Sequence, residues 1–313
     1  MLRTNSSREA LVDTDLDTLA TAIYVSTDDL LKARPELAPW RPAVGMKPLV
    51  SDAELVTLAV LSVVLGFDDE ARWVRHVRAQ WRHLFPYLPH QPGYNKRMRR
   101  LAPVMVALIE HLAADTSVAL DDVLVVDSTP VECARSRETV KRSDLAGWAE
   151  YGYCASHSRY FWGLRLHLVC TLHGLPIAYA LTGAKADERT VLTDLIATTP
   201  ALAGGGRTII ADKNYFGREF ESDLTAAGFT LLRKARCGEK PRPGAHLLKP
   251  LRQTVESVFD TLKGQLSLER HGGRTTDGVI IRVLQRLLAM TAAIWHNHHT
   301  GQPVLRSLTA YDH

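Results

Sequence analysis

The chain is 313 residues long, with 46% hydrophobic, 23% charged and 7% aromatic residues. That composition supports one large domain or two ordinary ones with real cores, and it excludes a disordered chain. A net charge of +4 is a mild basic bias that hints at an anionic partner without requiring one.

The N-terminus, MLRTNSSREALVDTD, has no apolar core for a signal peptide. Residues 11–34 and 51–116 carry apolar residues at three- and four-residue spacing and are expected to be helical. Ser51-Asp52-Ala53-Glu54 is a helix start, with Ser51 as cap and Glu54 three residues on. The most apolar run, LVTLAVLSVVLGF (55–67), is short for a bilayer span and suits a buried helix. No membrane partner is expected, and the expected location is the cytoplasm. A proline-rich piece from Pro35 to Pro48 links the two helical blocks, and PYLPHQPG (86–93) divides the second. Arg72, Arg75, Arg78, Arg82, Lys96, Arg97, Arg99 and Arg100 follow one another with no Asp or Glu between them. A solvated helix face explains such a run as readily as a nucleic-acid surface does.

From Leu120 the pattern changes. VLVVD (123–127) reads as a buried strand that ends on Asp127, with the chain turned away at Pro130. FWGLRLHLVCTLHG (161–174) and LPIAYALTG (175–183) are strands joined as a hairpin by Leu172-His173-Gly174-Leu175. ERTVLTDLIATT (188–199) and FGREFESDLTAAG (216–228) read as helices, leading into the strands RTIIAD (207–212) and FTLLRKA (229–235). Gly204-Gly205-Gly206 precedes a strand rather than a helix and is no phosphate loop. RKARCGEKPRPG (233–244) sets five Lys/Arg against one Glu; two separated basic stretches favour a polyanion such as nucleic acid. LRQTVESVFDTLKGQL (251–266) and VIIRVLQRLLAMTAAIW (279–295) are amphipathic helices, and WHNHH (295–299) reads as a polar C-terminal tail rather than a metal site. Cys133, Cys154, Cys170 and Cys237 form no C-x-x-C pair and read as reduced thiols. Hairpin strands followed by α/β alternation predict an α/β mixed sheet covered by helices. The expected domains are a helical one over 1–116 and an α/β one over 117–313.

Three acids stand where a fold does not need them. Asp127 and Asp212 end strands, and Glu256 sits in a helix. Such a set supplies oxygen ligands for divalent cations, and two cations roughly 3.5–4 Å apart clamp the attacking and leaving oxygens of a phosphodiester. A lone strand-end Asp more often caps a turn; the coincidence of three carries the reading. At about 100° per residue, Arg252, Glu256 and Lys263 fall within roughly 40° of one another. The apolar stripe Val255, Val258, Phe259, Leu262 and Leu266 runs beside them. Glu256 is therefore expected at the edge of the buried face, with Arg252 and Lys263 able to neutralise phosphate oxygens. An ordinary i,i+4 Arg–Glu surface pair is the plainer alternative. Asp187 and Asp260 are acids that can stand in for a named one, while His157 and His167 read as ordinary polar or strand residues.

VVDSTPV around Asp127, FWGLRLHLVCTLHGLPIAYALTGAKADE (161–188), IIADKNYFG around Asp212 and R-x3-E-x6-K from Arg252 through Glu256 to Lys263 together resemble the DDE transposases of bacterial insertion sequences. The group called IS nine-eighty-two is the most similar. The resemblance implies a ribonuclease H-like mixed sheet with flanking helices, preceded by an all-helical DNA-binding domain. The first Asp would lie on its first strand, the second on its fourth and the Glu on a following helix. It further implies two Mg²⁺ ions on Asp127, Asp212 and Glu256, with Mn²⁺ able to substitute, and Lys213, Arg252 and Lys263 orienting phosphates. The basic run 72–100 would supply salt-dependent affinity. The implied partners are double-stranded DNA (terminal inverted repeats and target) and further copies of the chain, as a homodimer or higher synaptic complex in the bacterial nucleoid. This chain has Lys249 where the family signature has Tyr, Ala186 where it often has His, and a short interval from Asp212 to Glu256 without an insert domain. Two rivals remain: a transposase-derived DNA-binding protein that does not cut, and a metal-dependent nuclease that cuts without joining.

Overall fold

A computed structural model describes residues 5–40, 44, 48–154, 158–242, 244 and 248–311, without the side chains of 5–15, 249–252 and 255. The chain divides into two compact units. One comprises residues 1–112, 264–273 and 277–313, and the other 113–263 and 274–276.

The first unit is helical. It holds α1 (Asn5–Ala33), α2 (Asp52–Val64), α3 (Glu70–Gln80), α4 (Gln91–Arg100) and most of α5 (Ala102–Ala114). The expected capping box opens α2: the Ser51 hydroxyl accepts from the Glu54 amide (3.0 Å), and the Ser51 amide donates to Glu54 Oε2 (2.6 Å). Leu55, Val56, Leu58, Val60 and Leu61 are all fully buried, so α2 is apolar around most of its circumference, as a core helix must be. In α3 only one stripe is buried, Trp73, Val74 and Val77. Glu70, at its start, is buried and accepts from Arg282 Nη2 (2.5 Å), Gln91 Nε2 (3.0 Å) and Asn95 Nδ2 (2.9 and 3.0 Å).

The second unit is built on a mixed six-stranded sheet. Its elements run β1 (Val123–Ala134), α6 (Arg137–Lys141), β2 (Glu150–Cys154), β3 (Arg159–Thr171), β4 (Pro176–Gly183), α7 (Glu188–Thr198), β5 (Thr208–Ile210), α8 (Arg218–Ala226), β6 (Thr230–Leu232) and α9 (Leu248–Asp260). Across the sheet the order is β2-β3-β1-β5-β6, and β4 also pairs with β3. β2 and β4 occupy successive stretches of β3, at 159–163 and 164–170. The β1–β3 pairing is antiparallel, whereas β1–β5 and β5–β6 are parallel. Leu124, Val125, Val126, Ile209 and Ile210 are nearly inaccessible, which accounts for the unbroken apolar runs of these parallel strands. The β3–β4 hairpin turns where expected, with Gly174 at φ 82° supplying the left-handed residue.

Two expectations need correction. β1 does not end at Asp127; it continues through Pro130 to Ala134, paired with β3 throughout. Past Val125 its other side has no ladder with β5, so Pro130 forfeits no hydrogen bond a neighbouring strand requires. Gly163 lets β3 pass close by here, since a Cβ on it would lie 2.1 Å from the Val131 carbonyl oxygen. The WHNHH segment is not a tail. It lies inside α10 (Thr276–Thr300), in the helical unit. His296 Nδ1 is 2.7 Å from the Tyr311 hydroxyl, and Asn297 Nδ2 donates to the carbonyls of Pro303 and Ser307 (2.9 Å each). These residues are polar because they satisfy one another inside the fold. α10 is long and apolar enough to cross a membrane by composition, but 83% of that window is buried within the protein, as in a core helix.

Candidate active site

The parallel register sets the site. Val123 pairs with Thr208, Leu124 with Ile209 and Val125 with Ile210, so Asp127 and Asp212 each lie two residues beyond the last rung of this parallel ladder. β5 has ended by then, so Asp212 leads a turn: its Oδ1 accepts from the Asn214 amide (2.7 Å), and its carbonyl accepts from the Tyr215 amide (3.3 Å). Asp127 Oδ1 accepts from the Ser128 amide (2.8 Å). Both carboxylates are half-buried. Two aspartates just past the carboxyl end of one parallel ladder are oxygen ligands of the kind hard cations take.

A second group braces this stretch of β1. Alternation turns Ser128 to the face opposite Asp127. The Ser128 hydroxyl donates to Glu188 Oε1, and Arg165 Nη1 donates to both Ser128 Oγ (2.9 Å) and Glu188 Oε1 (3.1 Å). The three side chains tie β1, β3 and the first turn of α7 together. Next to Arg165 on the same face of β3, His167 is buried with Nε2 3.0 Å from the Thr182 hydroxyl. Burial, aided by Arg165, pushes its imidazole down to about 4.

Tyr215 completes the surroundings. It is fully buried, and its hydroxyl has no hydrogen-bond partner among the described residues. Burial raises its phenol well above the ordinary range, and the negative charges of Glu188, Asp127 and Asp212 raise it further, with Arg165 in partial opposition. That hydroxyl therefore stays protonated and lies in the field of three carboxylates. Cys170 is pushed up to about 12 by burial, with Asp127 adding to the effect.

The other expected site residues are placed less tightly. Glu256 is exposed on α9, a helix that packs on β1 and β5. Among the described residues no three His, Cys, Asp or Glu lie close enough to hold a metal ion together. Val258, Phe259, Leu262 and Leu266 are buried, as the stripe requires, while the side chains of Val255 and Arg252 lie outside the described residues. Lys263 is half-buried in a π-helical turn, Thr261–Gln265. The wider turn changes the angular spacing, so a uniform 100° step does not carry from Glu256 to Lys263. Lys213 is exposed beside Asp212. Asp187 caps α7 and pairs with Arg189, whose hydrogen bond is the main reason its carboxyl falls to about 2. Asp260 is exposed at the end of α9, and His157 lies outside the described residues.

The basic stretches split. Arg72, Arg75, Arg78, Arg82, Lys96, Arg99 and Arg100 are exposed on or beside α3 and α4. Arg97 is committed to Asp52 (2.8 Å) and the Val50 carbonyl (2.8 Å), and Arg78 also donates to the carbonyls of Leu88 (3.0 Å) and Pro89 (3.2 Å). In 233–244, Arg233 and Arg242 are locked into a four-charge box with Glu221 and Glu239 at 2.6–3.0 Å. Arg236 stacks 3.6 Å over the Phe216 ring. Much of that second basic stretch therefore maintains the fold.

Sequence reasoning passed over Glu188, Arg165, Ser128 and Tyr215, although all four fall in the stretches it singled out. A usable signal was Arg165 itself, a charge inside the apolar strand LRLHL, which must find a partner when buried.

Among known proteins, the chain is similar to a piggyBac transposase solved by cryo-EM in a synaptic complex with hairpin DNA. The two share 10% identity over 94% of this chain and 76% of that one, with a TM-score of 0.48. No curated protein matches. The family model described as Transposase DDE domain matches residues 119–292, more than half of the chain, and the chain belongs to that family.

Proposed function

We propose that this chain is the DNA transposase of an insertion sequence of the IS nine-eighty-two type, cutting at the element's terminal inverted repeats and joining the freed 3′-hydroxyl to target DNA. The carrying observation is that Asp127 and Asp212 each lie two residues past the last rung of the β1–β5 ladder, inside the family-matched region. A ribonuclease H-like reading of the sheet is supported by β1 as first strand and by Asp212 following the strand parallel to it. That strand is the fourth when short β2 is counted as an added edge piece.

DDE transposases use divalent metal ions, generally Mg²⁺. Asp127 and Asp212 fit such ions by charge, partial burial and neighbouring position, and Glu256, on a helix packed against both strands, supplies the third carboxylate. Bound there, the ions provide Lewis-acid stabilisation of an in-line displacement at phosphorus. The rest falls to the chain itself. Lys213, Arg252 and Lys263 orient phosphate oxygens, and the Glu188–Arg165–Ser128 bracket holds β1 rigid so that Asp127 keeps its place. Exposed Arg72, Arg75, Arg78, Arg82, Lys96, Arg99 and Arg100 contact the duplex backbone of the repeats, in a homodimeric or larger synaptic assembly within the bacterial cytoplasm.

The test is a cleavage and strand-transfer assay. The substrate is duplex DNA carrying the sequences that flank this chain's own coding region, supplied with Mg²⁺. Cutting and joining support the proposal. Cutting without joining of a pre-cut end would identify a nuclease, and binding without cutting a transposase-derived DNA-binding protein.

A further inference from the structure

We propose that Tyr151, Tyr153 and Tyr160, on the outer face of the β2–β3 hairpin, form a stacking platform for unpaired nucleotides of the DNA end that the Asp127 site cuts, a role that rests on the function proposed above. Tyr153 and Tyr160 are direct partners across the hairpin, and Tyr151, two residues along β2, shares their face. All three are exposed, Tyr160 to 77%, and the Tyr153 and Tyr160 rings lie 5.1 Å apart between centres. The hairpin is anchored by its other face. There Phe161 and Cys154 are buried with Ala184, and a Cβ on Gly152 would lie 2.8 Å from the Ala184 Cβ. Packing of the hairpin therefore does not call for the tyrosines. Three adjacent exposed aromatic rings mark a binding surface, unlike apolar residues scattered singly.

The flanking charges select the occupant. Glu132 is shared by two guanidiniums, that of Arg159 (3.2 Å), the neighbour of Tyr160, and that of Arg135 (3.5 Å), just past the end of β1. Exposed Arg137, Lys141 and Arg142 follow in the next segment, where Glu138 pairs with Lys141 (3.2 Å). Aromatic rings beside a basic surface suit single-stranded nucleic acid, because bases stack on the rings while the cations meet the backbone. Bases inside a duplex already stack on one another and offer no free face. The hairpin is also tied to the site. Arg165 donates through Nη2 to the Tyr153 carbonyl (3.3 Å) and through Nη1 to Ser128 Oγ (2.9 Å), the residue after Asp127. One guanidinium thus spans from the tyrosine pair to the strand that carries the acid, so a DNA strand that separates at Asp127 has the platform close by.

The full chain is tested as wild type, Tyr160→Ala and Tyr160→Phe, without divalent ions so that nothing is cut. The probes are the blunt flanking-sequence duplex and the same duplex with a single-stranded extension at its element end, carrying 2-aminopurine. Wild type is expected to bind the extended duplex more tightly than the blunt one and to quench the 2-aminopurine fluorescence. Tyr160→Ala should melt as wild type does and leave blunt-duplex affinity unchanged. It should lose the quenching and roughly 10-fold in affinity for the extended duplex, within the range for one stacked base. Tyr160→Phe should keep both, since stacking needs the ring and not the hydroxyl. Equal wild-type affinity for the two probes, a Tyr160→Phe variant as weak as Tyr160→Ala, or equal losses on both probes would each overturn the assignment. So would a wild-type dimer without DNA that Tyr160→Ala dissociates, which gives the face to a second copy of the chain. Failure of the functional reading looks different: the Tyr160-dependent preference stands, but wild type cuts no flanking-sequence DNA with Mg²⁺, and the platform's link to a cut end is overturned.

Discussion

Glu70 in the helical unit, buried, and Asp127 and Asp212 in the sheet unit, half-buried, are carboxylates treated in opposite ways. Glu70 is met by Arg282, Gln91 and Asn95, so that α3, α4 and α10 share one satisfied charge network. Asp127 and Asp212 accept from the backbone amides of Ser128 and Asn214, and the buried hydroxyl of Tyr215 has no partner among the described residues. A fully connected polar network stabilises and specifies a fold, whereas an under-satisfied one lowers stability unless something else completes it. The first arrangement belongs to architecture. The second suits the site proposed above, where a ligand would complete it.

That contrast is open to direct attack. The largest effect is expected in the sheet unit. Asp127→Ala, Asp212→Ala and Glu256→Ala should each reduce single-turnover cleavage to background while melting close to wild type, whereas Asp187→Ala and Asp260→Ala retain substantial cleavage. An active Glu256→Ala variant would break the three-acid reading and point to Glu188 as the third carboxylate. In the helical unit the effect should move from chemistry to stability. Glu70→Ala leaves half-buried Arg282, with Gln91 and Asn95, without its acceptor and should cost about 1–3 kcal/mol in chemical denaturation. A cost below about 1 kcal/mol would show that the network is not structural.

His167 gives the contrast a pH axis. Its folded-state value is about 4, below the ordinary 6.5, through burial first and Arg165 second. The unfolded chain therefore binds more protons between those values, and stability is fully present above about pH 6.5 and declines as pH falls toward 4. One pKa unit is worth about 1.4 kcal/mol, so the full decline is on the order of 3 kcal/mol, roughly 2 of it between pH 7 and pH 5. Denaturation midpoints measured at pH 7 and pH 5 should show it, and His167→Gln should flatten it.

The smallest effects are expected among the arginines. Arg75→Ala and Arg99→Ala should leave the melting temperature unchanged and weaken DNA binding modestly. Each should also reduce the salt slope by about 1 if its guanidinium neutralises one phosphate. Arg97→Ala should instead lower stability, because its guanidinium is committed to Asp52 and Val50. If Arg97→Ala behaves like Arg99→Ala in both assays, the division between structural and exposed bases fails.

Local chemistry alone determined a good part of this protein. The Ser51–Glu54 capping box, the buried character of α2, the hairpin at Gly174 and the alternation of helices and strands after residue 183 follow from propensity, periodicity and turn residues, all of which act over a few positions. The order of the Asp127 and Asp212 segments was likewise legible, as motifs are. Only the tertiary structure decided that the two aspartates follow the same end of one parallel ladder, because parallel register is set by pairing between strands far apart in the chain. The same holds for β1 running on through Pro130, which depends on β5 having stopped, and for Arg165 finding Ser128 and Glu188. It holds too for α10 joining the N-terminal helices in one compact unit, with Arg282 answering Glu70. A side chain's polarity is written in the sequence, but whether that polarity is satisfied by a neighbour or held for a ligand depends on which distant segment packs beside it.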